Sequence, residues 1–528
     1  MGRFHGTPGL VRLGLRRDRV RLPLWGVVFL VVALGTAGAT VDLYPTVASR
    51  LAAATAIDAS PALVALYGPV LDPRSLGALA MLKLVNLGAA MVAILTAMTT
   101  VRHSRAEEEA GRLELVGATA VGRQAPLAAA VVIGLSTAAV AGSACAVGLA
   151  AAGLPAAGSV AFGAAWAGVG VVFVAVAAVA AQVARVARNA TGATLGVLAV
   201  AYVLRAVGDG SDAHWLVWTS PLGWGHRVAA FAGERWWVLV LPVAASALLL
   251  AAAVALADRR DLGAGLLADR VGPPVASPRL RSVLGLGWRL ERGPLAAWAI
   301  GFVFAGVLMG ALAGDVGSIV TSEASRDYIR RLGGEKALAE AYLAAIVGVT
   351  GLVAAAYGVH ATLRLRAEEE AGRAEAVLAT AVGRVRWAGS HLAVAVGGTV
   401  VLLLTVGLTG AVARAAGSGG WDDAPGIVAG ALLQLPAVWV VIGIAVAAYG
   451  LGARYAVVGW VALAVFLLLG TIGSLFDLPQ EVVDLSPFTH VPQLPGAAVQ
   501  VTPEVVLLVV AVALTGAGLA ALRRRDLG

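Results

Sequence analysis

Residues 105–123 read RAEEEAGRLELVGATAVGR, and residues 366–384 read RAEEEAGRAEAVLATAVGR. The two stretches agree at 16 of 19 positions across a displacement of 261 residues. Self-similarity at a fixed, long displacement marks an internal duplication. Other landmarks hold nearly the same spacing. LGLRRDR at 13–19 answers LGWRLER at 286–292, and Arg188 answers Arg454. Ser220-Pro221 answers Ser486-Pro487, and Arg260-Asp261-Leu262-Gly263 answers Arg525-Asp526-Leu527-Gly528. The chain therefore reads as two homologous halves, residues 1–263 and 264–528.

The material between these landmarks is too apolar for a water-soluble fold. Apolar residues make up 59% of the 528, with 66 Gly besides, and only 13% are charged. A soluble domain carries about a quarter charged residues. Twelve runs are long enough to cross about 30 Å of hydrocarbon as helices. They fall near 22–42, 76–100, 126–153, 159–183, 193–208 and 237–257, then 294–313, 341–363, 389–413, 425–449, 455–474 and 503–522. The expected fold is an all-α integral membrane protein with about twelve transmembrane helices in two six-helix repeats. Six crossings per half return both copies to one side in one orientation, so the repeats are parallel, about an axis along the membrane normal. The fifth run is expected to end early at Gly208, Asp209 and Gly210.

Positive charge orients the bundle. With the N-terminus inside, 28 Lys and Arg fall in cytoplasmic segments and 9 in external ones, the asymmetry of the positive-inside rule. Both termini are then cytoplasmic. An apolar run of about 20 residues is also too long for a signal-peptide core, so residues 22–42 read as the first span. The net charge of +8 comes with 37 Arg and only two Lys; it reflects coding bias and topology, not a nucleic-acid partner. Cys145 stands alone, which excludes a disulfide framework and any paired-cysteine metal site.

The duplicated segments lie on the arginine-rich side, between the second and third spans of each half, and read as helices over about 103–123 and 364–384. On a continuous helix Arg105 would meet Glu109, and Glu108 would meet Arg112. Glu107 and Glu114 would be left as unpartnered charge on a neighbouring face, with Glu368 and Glu375 as their counterparts. That near-identity, while the spans have drifted apart, marks a docking surface for another protein. ATP chemistry has no home on this chain. A phosphate-cradling loop needs Gly-Lys followed by Ser or Thr, whereas Lys83 follows Leu82 and Lys336 follows Glu335. No metal-ligand spacing occurs among the seven His.

The pattern R-A-E-E-E-x-G-R-x-E-x-x-x-A-T-A-V-x-R, the amphipathic arginine-rich segment before the first span, and RDLGAGLL at 260–267 resemble the fused permeases of ABC exporters in the antibiotic (tetronasin-type, polyketide) resistance group. The resemblance covers the whole chain and rests on these motifs. It implies a bacterial plasma-membrane permease exporting hydrophobic or amphipathic compounds. It also implies two copies of a cytoplasmic ATPase partner that carry ATP and Mg, with no cofactor on this chain. In such permeases the loop after the second span is a coupling helix seated on the ATPase. Glu107, Glu108, Glu109, Gly111, Arg112 and Glu114, with Glu368, Glu369, Glu370, Gly372, Arg373 and Glu375, inherit that role. A proton-coupled drug antiporter and a lipid or glycolipid flippase are the alternatives; the spans hold no Asp, Glu and His relay of the kind an antiporter uses.

Within the spans, Lys83 and Asn86 share nearly one face and could line a polar translocation path, against the reading that Lys83 snorkels to the interface. Arg205, near an external helix end, reads as an anchor. Gly306, Gly310 and Gly314 repeat at i,i+4 and permit close helix approach, with Gly35 and Gly38 on the first span as a candidate matching surface. Trp215, Trp218, Trp224, Trp236 and Trp237 read as an interfacial cluster.

Overall fold

A computed structural model describes residues 2–261, 263–266, 274–275, 277, 280, 282–313, 334–418, 420–472, 479–496 and 500–525. Gly314, Leu262, Leu267 and Asp526–Gly528 lie outside these described residues. Among the described residues twelve helices are long and apolar enough to span a bilayer. The chain divides into two compact units, residues 1–271 and 272–528.

The first unit begins with α1 (Thr7–Arg17), followed by the first span, α2 (Arg21–Leu43). Two short helices, α3 (Val47–Asp58) and α4 (Pro61–Tyr67), precede the second span, α5 (Leu76–His103). The duplicated segment forms α6 (Arg105–Glu109) and α7 (Arg112–Gly117). Then come the third to fifth spans, α8 (Ala125–Ala151), α9 (Ala156–Val183) and α10 (Ala187–Gly210). The short α11 (Pro221–Arg227) leads to the sixth span, α12 (Val240–Asp258).

These helices pack through glycine and aromatic pairs rather than through a polar stripe. Gly142 of α8 and Gly163 of α9 face each other so closely that a Cβ on either would strike the other's carbonyl. Gly88 of α5 leaves room for the Trp166 ring, which meets Phe162 at 5.2 Å and Phe29 at 5.6 Å between centroids. Small residues allow backbones to approach where lipid tails supply no hydrophobic drive.

The second unit opens on the seventh span, α13 (Val283–Ala313), and the eighth, α14 (Gly334–Thr362). The duplicated segment forms α15 (Arg364–Glu370) and α16 (Arg373–Leu378). The ninth span is α17 (Arg384–Ser418), and the tenth is α18 (Ala424–Leu433) continued by α19 (Leu435–Leu451). After the eleventh, α20 (Val458–Ile472), a short α21 (Gln480–Val483) precedes the twelfth, α22 (Val501–Arg524). Gly306 and Gly310 press α13 onto α17, where added Cβ atoms would strike Thr409 Oγ1 and the Gly410 carbonyl. The ninth span is thus their partner, whereas the Cβ positions of Gly35 and Gly38 face open space.

Four expectations change. The fifth span is not short: it starts at Ala187, ahead of the expected 193, and runs to Gly210. Its last turn holds the Asp209 carboxylate between Arg205 at 3.6 Å and Arg227 at 3.4 Å. Arg205 is not an interfacial anchor: it is fully buried, lies over the Tyr202 ring and donates to the Leu66 carbonyl at 3.1 Å. Lys83 and Asn86 do not sit together as a pair. Lys83 is exposed on α5, while buried Asn86 donates to the Tyr67 carbonyl at 2.7 Å. Finally, the duplicated segment is not one helix.

Leu66 and Tyr67 end α4, where helix carbonyls lack intrahelical donors. Asn86, Tyr202 and Arg205 supply three such donors from α5 and α10. The chain then turns at Gly68, whose φ of +94° is a region L side chains rarely adopt. Its Cα lies against the buried His226 ring, leaving no room for a Cβ.

Candidate functional site

The segment after the second span breaks at a glycine in both units. Gly111 has φ +71° and Gly372 has φ +68°. Nothing lies within 4 Å of a Cβ built at either position, so the left-handed backbone, not crowding, is what calls for glycine. Two short helices meet there at a corner. The corner replaces the i,i+4 pairing of Glu108 with Arg112 that a continuous helix would make with pairs in which Arg112 and Arg373 reach back across it.

Arg112 donates from Nε to Glu107 at 2.6 Å and from Nη2 at 3.0 Å. Arg373 repeats this on Glu368 at 2.9 and 3.1 Å. Bidentate guanidinium–carboxylate pairs fix orientation as well as charge. The carboxylate holds each guanidinium more firmly charged, raising the Arg112 and Arg373 pKa values. Glu107 also accepts from Arg17 at 2.9 Å. Glu107 and Glu368 are therefore committed to arginines of their own unit, and Glu368 is buried. The expectation that both stand exposed and unpartnered fails because the glycine corner folds Arg112 and Arg373 onto them.

The next carboxylate ties the corner to the end of the sixth span. Glu108 accepts from Arg260 Nη1 at 2.6 Å and Nη2 at 2.9 Å, and from the Gly263 amide at 2.7 Å. In the second unit Glu369 accepts from Arg525 and, at 2.6 Å, from the Tyr449 hydroxyl. Arg525 also donates to the Tyr449 carbonyl at 2.7 Å. A further duplicated contact closes the same seam: Arg123 donates to the Arg260 carbonyl at 2.9 Å, and Arg384 to the Arg525 carbonyl at 2.7 Å.

The segment before the first span of each unit joins in. Asp18 is buried and binds His103 at 2.6 Å together with Arg102. Glu291, its counterpart, meets Arg364 at 3.4 Å. Arg105 diverges from its counterpart. It is buried and donates to the Ala181 and Ala264 carbonyls, whereas Arg366 pairs with Glu370 at 2.7 Å on the surface. Glu109 accepts from the Ala187 amide at 2.9 Å, at the first turn of α10.

What stays open is the far arm of each corner. Glu114, Leu115 and Gly117–Ala120 are exposed in the first unit, and Glu375, Ala376 and Ala379 in the second. Among the described residues Glu114 and Glu375 have no ion-pair partner. The roles of Arg260 and Arg525 escape a reading of the duplicated segment alone. Their signal was the recurrence of Arg-Asp-Leu-Gly after the sixth and twelfth spans.

A relative of known description bears on this arrangement. The chain is 44% identical over 527 residues to the multidrug efflux system permease protein Rv1217c of Mycobacterium tuberculosis (strain ATCC 25618 / H37Rv), covering 99% of this chain and 95% of the relative. The chain belongs to the multidrug efflux system permease family. The model of that permease's C-terminal domain matches residues 280–523. That stretch contains the second permease corner, with Glu368, Glu369, Gly372 and Arg373. Arg525, which closes the second Glu–Arg contact of the permease, lies just past it.

Proposed function

We propose that this permease is the membrane subunit of an ATP-driven ABC exporter of the antibiotic-resistance group, moving hydrophobic or amphipathic compounds out of a bacterial cell. Two copies of a separate ATPase subunit hydrolyse ATP with Mg and dock, one each, on the exposed arms around Glu114 and Glu375. Both termini then lie in the cytoplasm and the twelve helices cross the plasma membrane. One observation carries the reading: each corner commits Glu107 and Glu108, or Glu368 and Glu369, to arginines of its own unit and keeps Glu114 or Glu375 exposed with no ion-pair partner among the described residues.

Such a corner is suited to pass on a push. The glycine turn gives it a fixed bend, and Glu108–Arg260 and Glu369–Arg525 join the bend to the ends of the sixth and twelfth spans. A displacement imposed at Glu114 reaches α12 through charge-assisted bonds rather than through a flexible loop. The deciding experiment reconstitutes the permease with its ATPase in vesicles and follows drug efflux with ATP plus an uncoupler. Efflux that needs ATP and survives the uncoupler is expected. Efflux that follows the proton gradient and ignores ATP refutes the reading in favour of antiport, and movement of a labelled lipid without drug refutes it in favour of a flippase.

A further inference from the structure

Helix α1 carries a second feature that export does not use. Its inner side is fixed: Gly14 is buried against Ile133 and His103, and Asp18 is held by His103 and Arg102. Its outer side presents Arg12 and Arg16, with Arg19 just beyond its last turn. All three are exposed, and among the described residues none forms an ion pair or a side-chain hydrogen bond. Spacings of four and three residues place them on one side of the chain.

These arginines edge a groove of about 670 Å³ between α1 and the third span, whose apolar wall includes Val11, Leu15 and Val132. Among the described residues no acidic side chain lines it. Three uncompensated guanidinium groups at one end of a membrane bundle, beside a shallow, open apolar groove, match one kind of molecule. Phosphate oxygens accept bidentate bonds from guanidinium, and an acyl chain takes the apolar wall. The geometry points to a binding site for an anionic glycerophospholipid of the leaflet at the arginine-rich end. Its phosphate lies among Arg12, Arg16 and Arg19, and an acyl chain lies along Val11, Leu15 and Val132. A soluble anion would gain nothing from the apolar half, and a zwitterionic lipid would place its own cation among the arginines.

The second unit retains part of the pattern. LGWRLER puts Gly287 and Glu291 where Gly14 and Asp18 stand, and both are buried. Arg289 and Arg292 replace Arg16 and Arg19 and are exposed, while Gly285 stands in place of Arg12. The first unit therefore holds the stronger site.

The test is lipid retention by the purified full-length permease, read by native mass spectrometry after equal amounts of phosphatidylglycerol and phosphatidylcholine are offered. The wild type is expected to retain phosphatidylglycerol about tenfold over phosphatidylcholine, in line with the attraction of juxtamembrane arginines to anionic lipid. Raising salt should shrink this preference by screening. The Arg12→Gln/Arg16→Gln/Arg19→Gln variant should fall to about twofold or less, whereas Arg74→Gln, outside the groove, should match the wild type. Retained selectivity in the triple variant overturns the site, as does a wild type without preference at any salt. Displacement of phosphatidylglycerol by millimolar inorganic phosphate overturns the lipid in favour of a free anion. Should the triple variant not fold, the wild-type salt series and the phosphate competition still decide. None of these readouts involves an ATPase, so the exporter reading and this site stand or fall separately.

Discussion

Glu108 and Arg260 stand 152 residues apart in sequence and meet through two hydrogen bonds of 2.6 and 2.9 Å; Glu369 and Arg525, 156 residues apart, repeat the pairing. Both carboxylates are the middle glutamate of an identical Glu-Glu-Glu run, and both arginines open an identical Arg-Asp-Leu-Gly run. Two copies of one ion pair, each built from two duplicated motifs, make the pair itself the inherited unit. Its partners are mostly withdrawn from solvent, with side-chain exposures of 5% for Glu108 and 12% for Arg260.

Breaking one side of that pair should cost more than removing both. Arg260→Gln leaves the Glu108 charge with only Arg105, 3.1 Å away, and the Gly263 amide. Losing one partner of a buried pair is worth about 3 kcal/mol or more. Glu108→Gln keeps the shape and should cost about 1–3 kcal/mol. The double variant should be more stable than the sum of the two losses implies. Denaturation of the purified permease in detergent, run as a double-mutant cycle, checks this; strict additivity would show that the two groups do not interact.

Gly111 and Gly372 should resist any side chain for a conformational reason alone. Gly111→Ala and Gly372→Ala meet no neighbour within 4 Å, so the whole penalty is that of a left-handed L residue, about 1–2 kcal/mol each. Asn, which tolerates that region, should be milder, and Val should be worse. A stability series of Ala, Asn and Val at both positions measures the order, and an Asn variant less stable than the Val variant would contradict it.

Charge reversal separates the outer carboxylates from the inner ones. Glu114→Arg and Glu375→Arg alter exposed groups and should leave stability within about 0.5 kcal/mol. They should still reduce copurification of the ATPase subunit by placing like charges at the contact. Glu107→Arg and Glu368→Arg place a cation beside Arg112 and Arg373 and should destabilise the permease itself. Melting temperature and ATPase yield, measured on all four, distinguish the two groups; normal ATPase yield and efflux in the Glu114 and Glu375 variants would remove the docking role.

Acid should weaken the first unit through His226. Burial, helped by Arg227 and Arg205, pushes its pKa down from 6.5 to about 3. The unfolded chain therefore takes up a proton before the folded one does. Stability from the neutral ring is fully present above about pH 6.5 and is lost progressively as pH falls toward 3, by at most about 1.4 kcal/mol per pH unit. Denaturation midpoints between pH 7.5 and 5 should fall less steeply for His226→Gln than for wild type. Equal slopes would remove His226 as the source.

The spans, their number and the duplication were legible because apolar run length and repeated strings are one-dimensional properties. The corner was half legible. Gly111 and Gly372 were visible as glycines, yet helix propensity spoke for a continuous helix, and only a tertiary fold decides whether a glycine in such a run turns left-handed. Arg205 misled for the same reason: position along a span says how deep a side chain sits, not whether a carbonyl and a carboxylate wait beside it. Helices α3 and α4 carry no long apolar run, so no hydrophobic signal in the sequence marks them.

The small cap at α4 also bears on how the first unit is made. A ribosome delivers residues 61–67 before Asn86, and well before Tyr202 and Arg205. The Leu66 and Tyr67 carbonyls are thus already synthesised when the fifth span is threaded into the bilayer. An arginine inside a helix otherwise resists insertion by about 2.5–3.5 kcal/mol at mid-membrane. Here biosynthetic order puts the Leu66 acceptor ahead of the donor, so of the two partners of Arg205 only Asp209, one turn on in the same span, follows it.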